Sequence, residues 1–171
     1  ELDYGDLDFL INKTRSSKYS FVVVLDQVTD PHNLGAVIRS AVAFSLDAIV
    51  VHDRSTPRLD GALGKAASGA LEHIPIIRTK NIARAIDKLK KSEFWCIGLS
   101  DDAHNDLSSL SVYNRTAVVL GAEGEGLRRL TRESCDSLAR LPTSLSFPTL
   151  NISNAASITF YEIRKHLPPK N

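Results

Sequence analysis

Continuous apolar runs rich in β-branched residues recur along this chain, and helical patterns separate them. The runs cover residues 21–25, 48–51, 74–77, 94–99 and 117–120. A run without polar alternation is typical of a strand that is covered on both faces. Apolar residues at helical spacing form one stripe from Leu34 to Phe44 and another from Ile82 to Leu89. This alternation predicts an α/β fold with a mostly parallel sheet and helices on both faces.

The two ends of the chain have different characters. Residues 1–20 are polar and of mixed charge, and they fit the end of an interdomain linker with one or two helical turns. Residues 21–171 are predicted to form one domain, and the lack of any methionine suggests that an N-terminal, RNA-binding part precedes Glu1. A last helix is predicted to begin near Asn151 and to stop at Pro168 and Pro169. Its stripe comprises Ile152, Ala155, Ala156, Thr159 and Ile163.

Charge and composition exclude several classes of function. With 21 basic and 20 acidic side chains the net charge is +1, so nucleic acid would have to be held by a local patch or with help. No apolar span of 18 residues and no signal peptide appears, which indicates a soluble, cytoplasmic protein without a membrane partner. Cys96 and Cys135 lie outside any C-x-x-C or His-rich cluster, so no metal site is predicted.

The first segment with a chemical pattern runs from Asp30 to Arg39. Asp, Pro and Asn form a turn that caps the incoming helix, and the cap alone accounts for Asn33. Arg39 lies off the apolar stripe and is the only charged residue between Asp30 and Asp47. An isolated cation on a helix of small neutral residues suggests a function, although a solvated charge or a salt bridge is the alternative.

The second segment follows the apolar run that ends at Leu120. Its glycines are spaced G-x-x-G-x-G, and Glu123 and Glu125 would repel a pyrophosphate, so a dinucleotide site is not indicated. The segment is either a tight strand-to-helix turn or the floor of a ligand site at the edge of the sheet. In the third segment, residues 141–156, prolines and hydroxyl residues precede a helix that Asn151 and Ser153 open.

Together the three segments resemble the SpoU (TrmH-like) family of SPOUT RNA methyltransferases, over about residues 21–166. Its motifs look like D-P-x-N-x-G-x-x-x-R, L-G-x-E-x-x-G-(L/M) and I-P-M-x-G-x-x-x-S-L-N-V-S-x-A. The matching positions are Asp30, Pro31, Asn33, Gly35 and Arg39; Leu120, Gly121, Glu123, Gly126 and Leu127; and Leu141, Pro142, Leu150, Asn151, Ser153 and Ala155. Residues 65–72 and 121–135 further resemble the branch that methylates a guanosine of large-subunit ribosomal RNA.

The resemblance implies a SPOUT fold with a C-terminal trefoil knot and a homodimer with active sites at the subunit interface. It implies transfer of a methyl group from S-adenosyl-L-methionine to a ribose 2'-hydroxyl of ribosomal RNA, without a metal. The implied catalytic residues are Asn33, Arg39, Glu123, Thr149 and Asn151, with Arg39 gripping a phosphate or the hydroxyl. The implied donor-binding residues are Leu99, Gly121, Leu141 and Leu150.

Two residues depart from the family pattern. Leu145 stands where the motif has glycine, and leucine does not adopt a positive φ cheaply, so the donor loop is expected to take another path. Thr149 replaces a serine, which keeps the hydroxyl and adds a methyl group. Leu145 therefore leaves open a non-catalytic RNA-binding relative whose donor pocket has decayed. A tRNA 2'-O-methyltransferase of the same branch also stays open, because only the resemblance of the middle segments favours ribosomal RNA.

Overall fold

The computed structural model describes residues 6–58 and 61–168, and a six-stranded parallel sheet forms its centre. The strands are β1 (Ser20–Leu25), β2 (Ala48–His52), β3 (Ile76–Thr79), β4 (Trp95–Leu99), β5 (Arg115–Leu120) and β6 (Ser137–Ala139). Their order across the sheet is β3-β2-β1-β5-β4-β6. β1 pairs in parallel with β2 on one side and with β5 on the other.

Helices cover both faces of this sheet. They are α1 (Leu7–Thr14), α2 (Pro31–Ala43), α3 (Gly61–Ala67), α4 (Ile82–Lys91), α5 (Arg129–Ser134) and α6 (Ile152–Arg164). Successive residues of β1 point to opposite faces, so Phe21 and Val23 pack in the same apolar cluster as α2 and α6. Val22 and Val24 pack in a second cluster with α1 and α4. The predicted α/β class, with a parallel sheet and helices on both faces, is confirmed.

The first helix is part of the packed domain. The side chain of Leu10 is 1% exposed and lies in the cluster with α4. Arg115 of β5 donates from Nη1 to the carbonyl oxygen of Thr14 at 2.7 Å, and its guanidinium stacks on the ring of Phe94. The packed domain therefore begins before residue 21, where the sequence suggested a linker. Residues 1–5 of that suggested linker lie outside the described residues.

Several boundaries differ from the predicted ones. β3 begins at Ile76 because Pro75 has no N–H to donate to the ladder, although its carbonyl accepts from Ile49 N at 3.1 Å. The short strand β6 was not predicted, since three residues are too few to show a period. α6 ends at Arg164, earlier than expected, and single turns continue to Leu167. Pro169 lies outside the described residues.

The small residues of α6 are used inside the chain. Ala156 and Thr159 are 0% exposed and face α2, and Ser40 Oγ and Ser157 Oγ of the two helices are 2.7 Å apart. Arg164 fixes the far end by donating from Nε to the carbonyl of Phe44 at 2.8 Å. Ala156 and Thr159 of the predicted stripe therefore pack closely against α2 of the same chain, whereas Ala155 is only partly buried.

Candidate active site

A cleft of about 300 Å³ lies at the C-terminal edge of β4 and β5. Its walls come from five segments: residues 99–102 at the end of β4, residues 120–127 at the end of β5, Arg132 of α5, residues between 140 and 150, and the start of α6. Open α/β sheets bind ligands at the carboxyl ends of their strands, where connections leave the sheet and a crevice opens. The edge that the sequence indicated as a ligand site is thus a real crevice.

The glycine turn after β5 forms the floor of the cleft. A Cβ on Gly121 would stand 2.2 Å from the carbonyl carbon of Gly126, so the chain can close here only if residue 121 lacks a side chain. Gly124 and Gly126 have φ values of +78° and +69°, which side chains other than glycine rarely allow. Gly126 N donates to the Ala122 carbonyl at 2.9 Å and completes the turn. This tight turn places Glu123 at its tip.

An ion pair between a buried carboxylate and a half-exposed guanidinium fastens the turn to the neighbouring strand. Asp26 follows β1 and is 0% exposed, and its carboxylate accepts from Arg128 Nε at 2.8 Å. Arg128 Nη2 lies 2.6 Å from the same oxygen, and Arg128 N donates to the other carboxylate oxygen at 3.2 Å. Asp26 N donates in turn to the Leu120 carbonyl at 2.8 Å. The end of β1 and the residues after the glycine turn are therefore held as one unit.

Three residues that the motifs singled out form a hydrogen-bonded network at the start of α6. Glu123 Oε1 accepts from Ile152 N at 2.9 Å and from Asn33 Nδ2 at 3.3 Å. Asn151 Nδ2 donates to Asn33 Oδ1 at 3.0 Å. Asn151 is also the N-cap of α6, since its Oδ1 accepts from Ser153 N at 2.9 Å. The cap that the sequence assigned to Asn33 is wrong, because Asp30 is the N-cap of α2 and Asn33 lies in its first turn. The side chains of Asn33 and Asn151 instead join α2, the glycine turn and α6.

The other predicted site residues lie around the same cleft. The four positions expected to contact the donor all line the cleft, namely Leu99, Gly121, Leu141 and Leu150. Thr149 lines it too. Thr149 lies beside Leu150, three residues before α6 begins. The structure thus brings eight of the nine predicted site residues to one crevice or its rim, and their roles stay predictions.

Arg39 is the predicted site residue that stands apart. It is exposed, it does not line the cleft, and it has neither a hydrogen bond nor an ion pair with any of residues 6–58 and 61–168. Six residues separate it from Asn33 on α2, or about 9 Å along the axis. The alternative that Arg39 belongs to a salt bridge is not supported in this part of the chain, and the guanidinium is open to a ligand.

Leu145 points away from the cleft. Its side chain is 99% exposed, and its φ is not among the positive values of the described residues. Phe147 N donates to the Ser144 carbonyl at 3.3 Å, so residues 144–147 form a tight turn at the tip of the loop. The loop accommodates leucine without a positive φ by directing the side chain to solvent, and the different path of the loop stays a prediction. Leu145 therefore does not fill the pocket.

A polar link in the cleft wall was not anticipated from the sequence. Arg132 of α5 donates from Nη1 to Ser100 Oγ at 2.7 Å and to Asp102 Oδ1 at 2.8 Å. Its hydrogen bond is the main reason that the pKa of the Asp102 carboxyl lies below the usual value, and the hydroxyl of Ser100 adds to it. The only signal was the abrupt change from an apolar run to Ser100 and Asp102, which leaves the partner on α5 unspecified.

The two cysteines do not take part in this site. Burial raises the pKa of the Cys135 thiol to about 12 and that of Cys96 further, so both stay protonated and unreactive. Among the described residues no cluster of His, Cys, Asp and Glu is arranged to hold a metal ion. None of the described helices is both long enough and apolar enough to span a membrane.

The model of the SpoU rRNA methylase family matches residues 20–161, which is most of the chain and contains the whole cleft. The chain belongs to the SpoU family.

Curated SpoU relatives are similar over nearly the whole chain. A 23S rRNA (guanosine-2'-O-)-methyltransferase, RlmB, from Pseudomonas aeruginosa is 41% identical over 155 residues, which are 91% of this chain and 62% of the relative. The RlmB of Escherichia coli is 43% identical over 142 residues, 83% of this chain and 58% of the relative. The chain thus spans about three fifths of the length of these relatives.

Solved SpoU structures show the same fold. The SpoU methyltransferase AviRb from Streptomyces viridochromogenes superposes with a TM-score of 0.86 at 24% identity, over 97% of this chain and 65% of that one. An rRNA methyltransferase from Sinorhizobium meliloti gives a TM-score of 0.83 at 26% identity, over 99% and 63%. The expected SPOUT fold is confirmed at the level of the sheet and its helices, and the trefoil knot stays a prediction.

Proposed function

We propose that this SpoU chain transfers a methyl group from S-adenosyl-L-methionine to a ribose 2'-hydroxyl of RNA, with a guanosine of large-subunit ribosomal RNA as the acceptor. The observation that carries this proposal is the network of Asn33, Glu123 and Asn151 on the rim of the cleft. The relatives named as 23S rRNA guanosine-2'-O-methyltransferases support the choice of acceptor.

The cleft fits the methyl donor in size and chemistry. Its volume of about 300 Å³ is at the lower end of the range for small-molecule sites. Leucine side chains and the backbone of the glycine turn suit an adenine, and the acidic residues on its wall suit a cationic sulfonium. A solved SpoU methyltransferase, AviRb, is described in complex with AdoMet, and it superposes with a TM-score of 0.80 at 24% identity. Leu99, Gly121, Leu141 and Leu150 would hold the donor.

The network would place the acceptor ribose. When bound, S-adenosyl-L-methionine supplies an activated methyl group, so the chain has to align the 2'-oxygen with it and remove the hydroxyl proton. Asn33 and Asn151 each bring an amide to the rim, and their mutual hydrogen bond fixes the orientation of both. Glu123 is held by two donors, one of them the first N–H of α6, so its carboxylate orients the network. Thr149 adds a hydroxyl beside the cleft.

Arg39 would act on the acceptor from outside this network. Its distance from Asn33 along α2 favours the phosphate of the acceptor nucleotide as its partner, because the ribose would lie at the network itself. A guanidinium stays charged at neutral pH and matches the geometry of a phosphate with two parallel donors. Arg39 would thereby hold the nucleotide in the orientation that the transfer needs.

The proposal is tested by donor titration and by methyl transfer. Calorimetry with S-adenosylmethionine should show saturable binding, and single-turnover reactions on ribosomal RNA should yield 2'-O-methylguanosine in nucleoside mass spectra. Transfer to tRNA in place of ribosomal RNA would favour the tRNA-directed alternative. Absence of donor binding at millimolar concentration would contradict the proposal and favour a non-catalytic RNA-binding relative.

Leu145→Gly should leave donor affinity nearly unchanged. The leucine side chain is 99% exposed and points away from the cleft, and exposed substitutions usually change free energies by no more than about 0.5 kcal/mol. Calorimetry should therefore give a dissociation constant within about twofold of the wild type, or a weaker one if the glycine loosens the loop. A large gain in affinity would show instead that Leu145 obstructs the donor.

The outer face of α6 is where we propose that a second copy of the chain binds. Ile158 and Tyr161 are three residues apart on this helix, and they expose 46% and 55% of their surface. Ile158→Asp should shift the protein to monomers in sedimentation equilibrium, since a charge would be buried in the contact. Phe9→Asp is the matched control, because Phe9 is 41% exposed on α1, at the opposite face of the sheet. An unchanged mass for Ile158→Asp would contradict this dimer.

Two further parts of the proposal concern the whole protein. RNA affinity depends strongly on neutralisation of phosphates, and the net charge of this chain is only +1. An N-terminal RNA-binding part would add the phosphate contacts that this chain lacks. A substrate in the ribosome would place the protein in the cytoplasm.

A further inference from the structure

A loop tip with two exposed apolar side chains stands beside the cleft. Phe147 exposes 75% of its surface and Leu145 exposes 99%. Exposed large apolar side chains that lie together commonly mark a binding surface. We propose that Phe147 is a stacking platform for a nucleobase of the RNA acceptor. This inference rests on the proposed function, and it adds a residue that the sequence motifs do not include.

The tip presents its aromatic ring from a fixed backbone. Thr143 Oγ1 donates to the Pro148 carbonyl at 2.8 Å across the base of the loop. Within the turn, Phe147 N donates to the Ser144 carbonyl at 3.3 Å, and the hydroxyls of Ser144 and Ser146 are 2.8 Å apart. A preorganised loop loses little conformational entropy when a ligand binds. The ring is thus available without a prior ordering step.

The position of the tip suits the base of a nucleotide whose ribose is in the site. Thr143 and Pro148, on the two sides of the tip, line the cleft, whereas Phe147 itself does not. Asn151 follows four residues after Phe147 and belongs to the network that would place the ribose. A base is attached directly to its ribose, so a ribose at the network brings its own base or the adjacent base close to this loop.

The chemistry of the tip favours a base over other occupants. Residues 141–150 include no charged side chain, so the tip itself offers no ion pair to a phosphate. Every nucleobase has a π-face that stacks on an aromatic ring, whatever its hydrogen-bonding edge. The face proposed for a second copy is separate, since Tyr161 lies about 13 Å along α6 from Ile152, where the helix begins next to the loop.

The test measures binding of a fluorescein-labelled oligoadenylate of about ten nucleotides, a length within the range of single-strand sites. We expect Phe147→Ala to weaken binding by about 5- to 100-fold, which corresponds to the loss of one stacked base. Phe147→Trp should restore the affinity, whereas Phe147→Leu should not, because leucine is apolar but has no π-face. Leu145→Ala is the control from the same turn and should bind as the wild type does.

An abasic oligomer of the same length provides the matched ligand. Wild type and Phe147→Ala should bind it equally, because the phosphates are unchanged and the bases are missing. Full affinity of Phe147→Leu, equal affinity of the wild type for both oligomers, or no binding of either oligomer would overturn the proposal. A shift of Phe147→Ala to monomers would overturn it too, since the tip would then be a subunit contact.

Titration of S-adenosylmethionine into the same variants separates this inference from the proposed function. All of them should bind the donor as the wild type does, because Phe147 does not line the cleft. A wild type that binds the oligoadenylate through Phe147 but never binds the donor would contradict the proposed function and leave the stacking platform intact.

Discussion

Arg39→Ala should remove methyl transfer while the fold and donor binding persist. The side chain is exposed on α2, it does not line the cleft, and its truncation opens no cavity. Exposed changes of this kind usually alter stability by no more than about 0.5 kcal/mol. We expect the single-turnover rate to fall about 10²-fold or more, because loss of the phosphate contact would misplace the acceptor hydroxyl relative to the methyl group.

Lysine is the informative second substitution at this position. Arg39→Lys keeps the positive charge but lacks the planar fork that holds a phosphate with two parallel hydrogen bonds, so we expect no recovery of the rate. Melting temperature and donor titration should match the wild type for both variants. If Arg39→Ala unfolds the protein, or retains more than about a tenth of the rate, the assignment of Arg39 to the reaction is wrong.

Arg128→Ala should have the largest effect on stability among the site variants. The substitution leaves the carboxylate of Asp26, which is 0% exposed, with the Arg128 backbone N–H as its remaining donor from that residue. Removing one partner of a fully buried ion pair costs about 3 kcal/mol or more, but the Arg128 side chain is 48% exposed, so solvent screening lowers the expected cost to about 1.5 to 3 kcal/mol. For a domain of this length that corresponds to a fall in melting temperature of about 3 to 12 °C.

The adjacent arginine supplies the control. Arg129 pairs with Glu133 one helical turn away at 3.1 Å, and both side chains are mostly exposed. Such pairs contribute about 0.3 to 0.5 kcal/mol, so Arg129→Ala should barely change the melting temperature. Arg128→Ala should also weaken donor binding, because it releases the glycine turn from β1. Equal melting curves for the two alanine variants would show that the Asp26 pair does not hold the turn.

The sequence predicted the sheet because a strand that is buried on both faces is apolar at nearly every position. β1 and β5 are covered on both faces, so their apolar runs lack alternation, and the stripe of α2 repeats at the helical period. β6 and α5 were missed, since three and six residues are too short to show a period. The start of the packed domain was missed because α1 is mostly polar, and Leu10 alone among its apolar residues is fully buried.

What the sequence determined by itself is the class of fold and the edge of the sheet at which the motifs meet. Parallel strands deliver their carboxyl ends to the same edge, so segments that follow β1 and β5 are brought together by topology alone. That topology accounts for the contact between Asn33 and Glu123, and the cap of α6 adds Asn151.

Tertiary structure alone decided which way individual side chains point and what they meet. The side chain of Leu145 points to solvent, and Arg39 makes no contact with the network. Asp102 accepts a hydrogen bond from Arg132, thirty residues further along the chain. Ala156 and Thr159 of α6 pack against α2 of the same chain. Each of these outcomes depends on the packing of segments far apart in sequence, and a local pattern records the type of a side chain but not its distant neighbour.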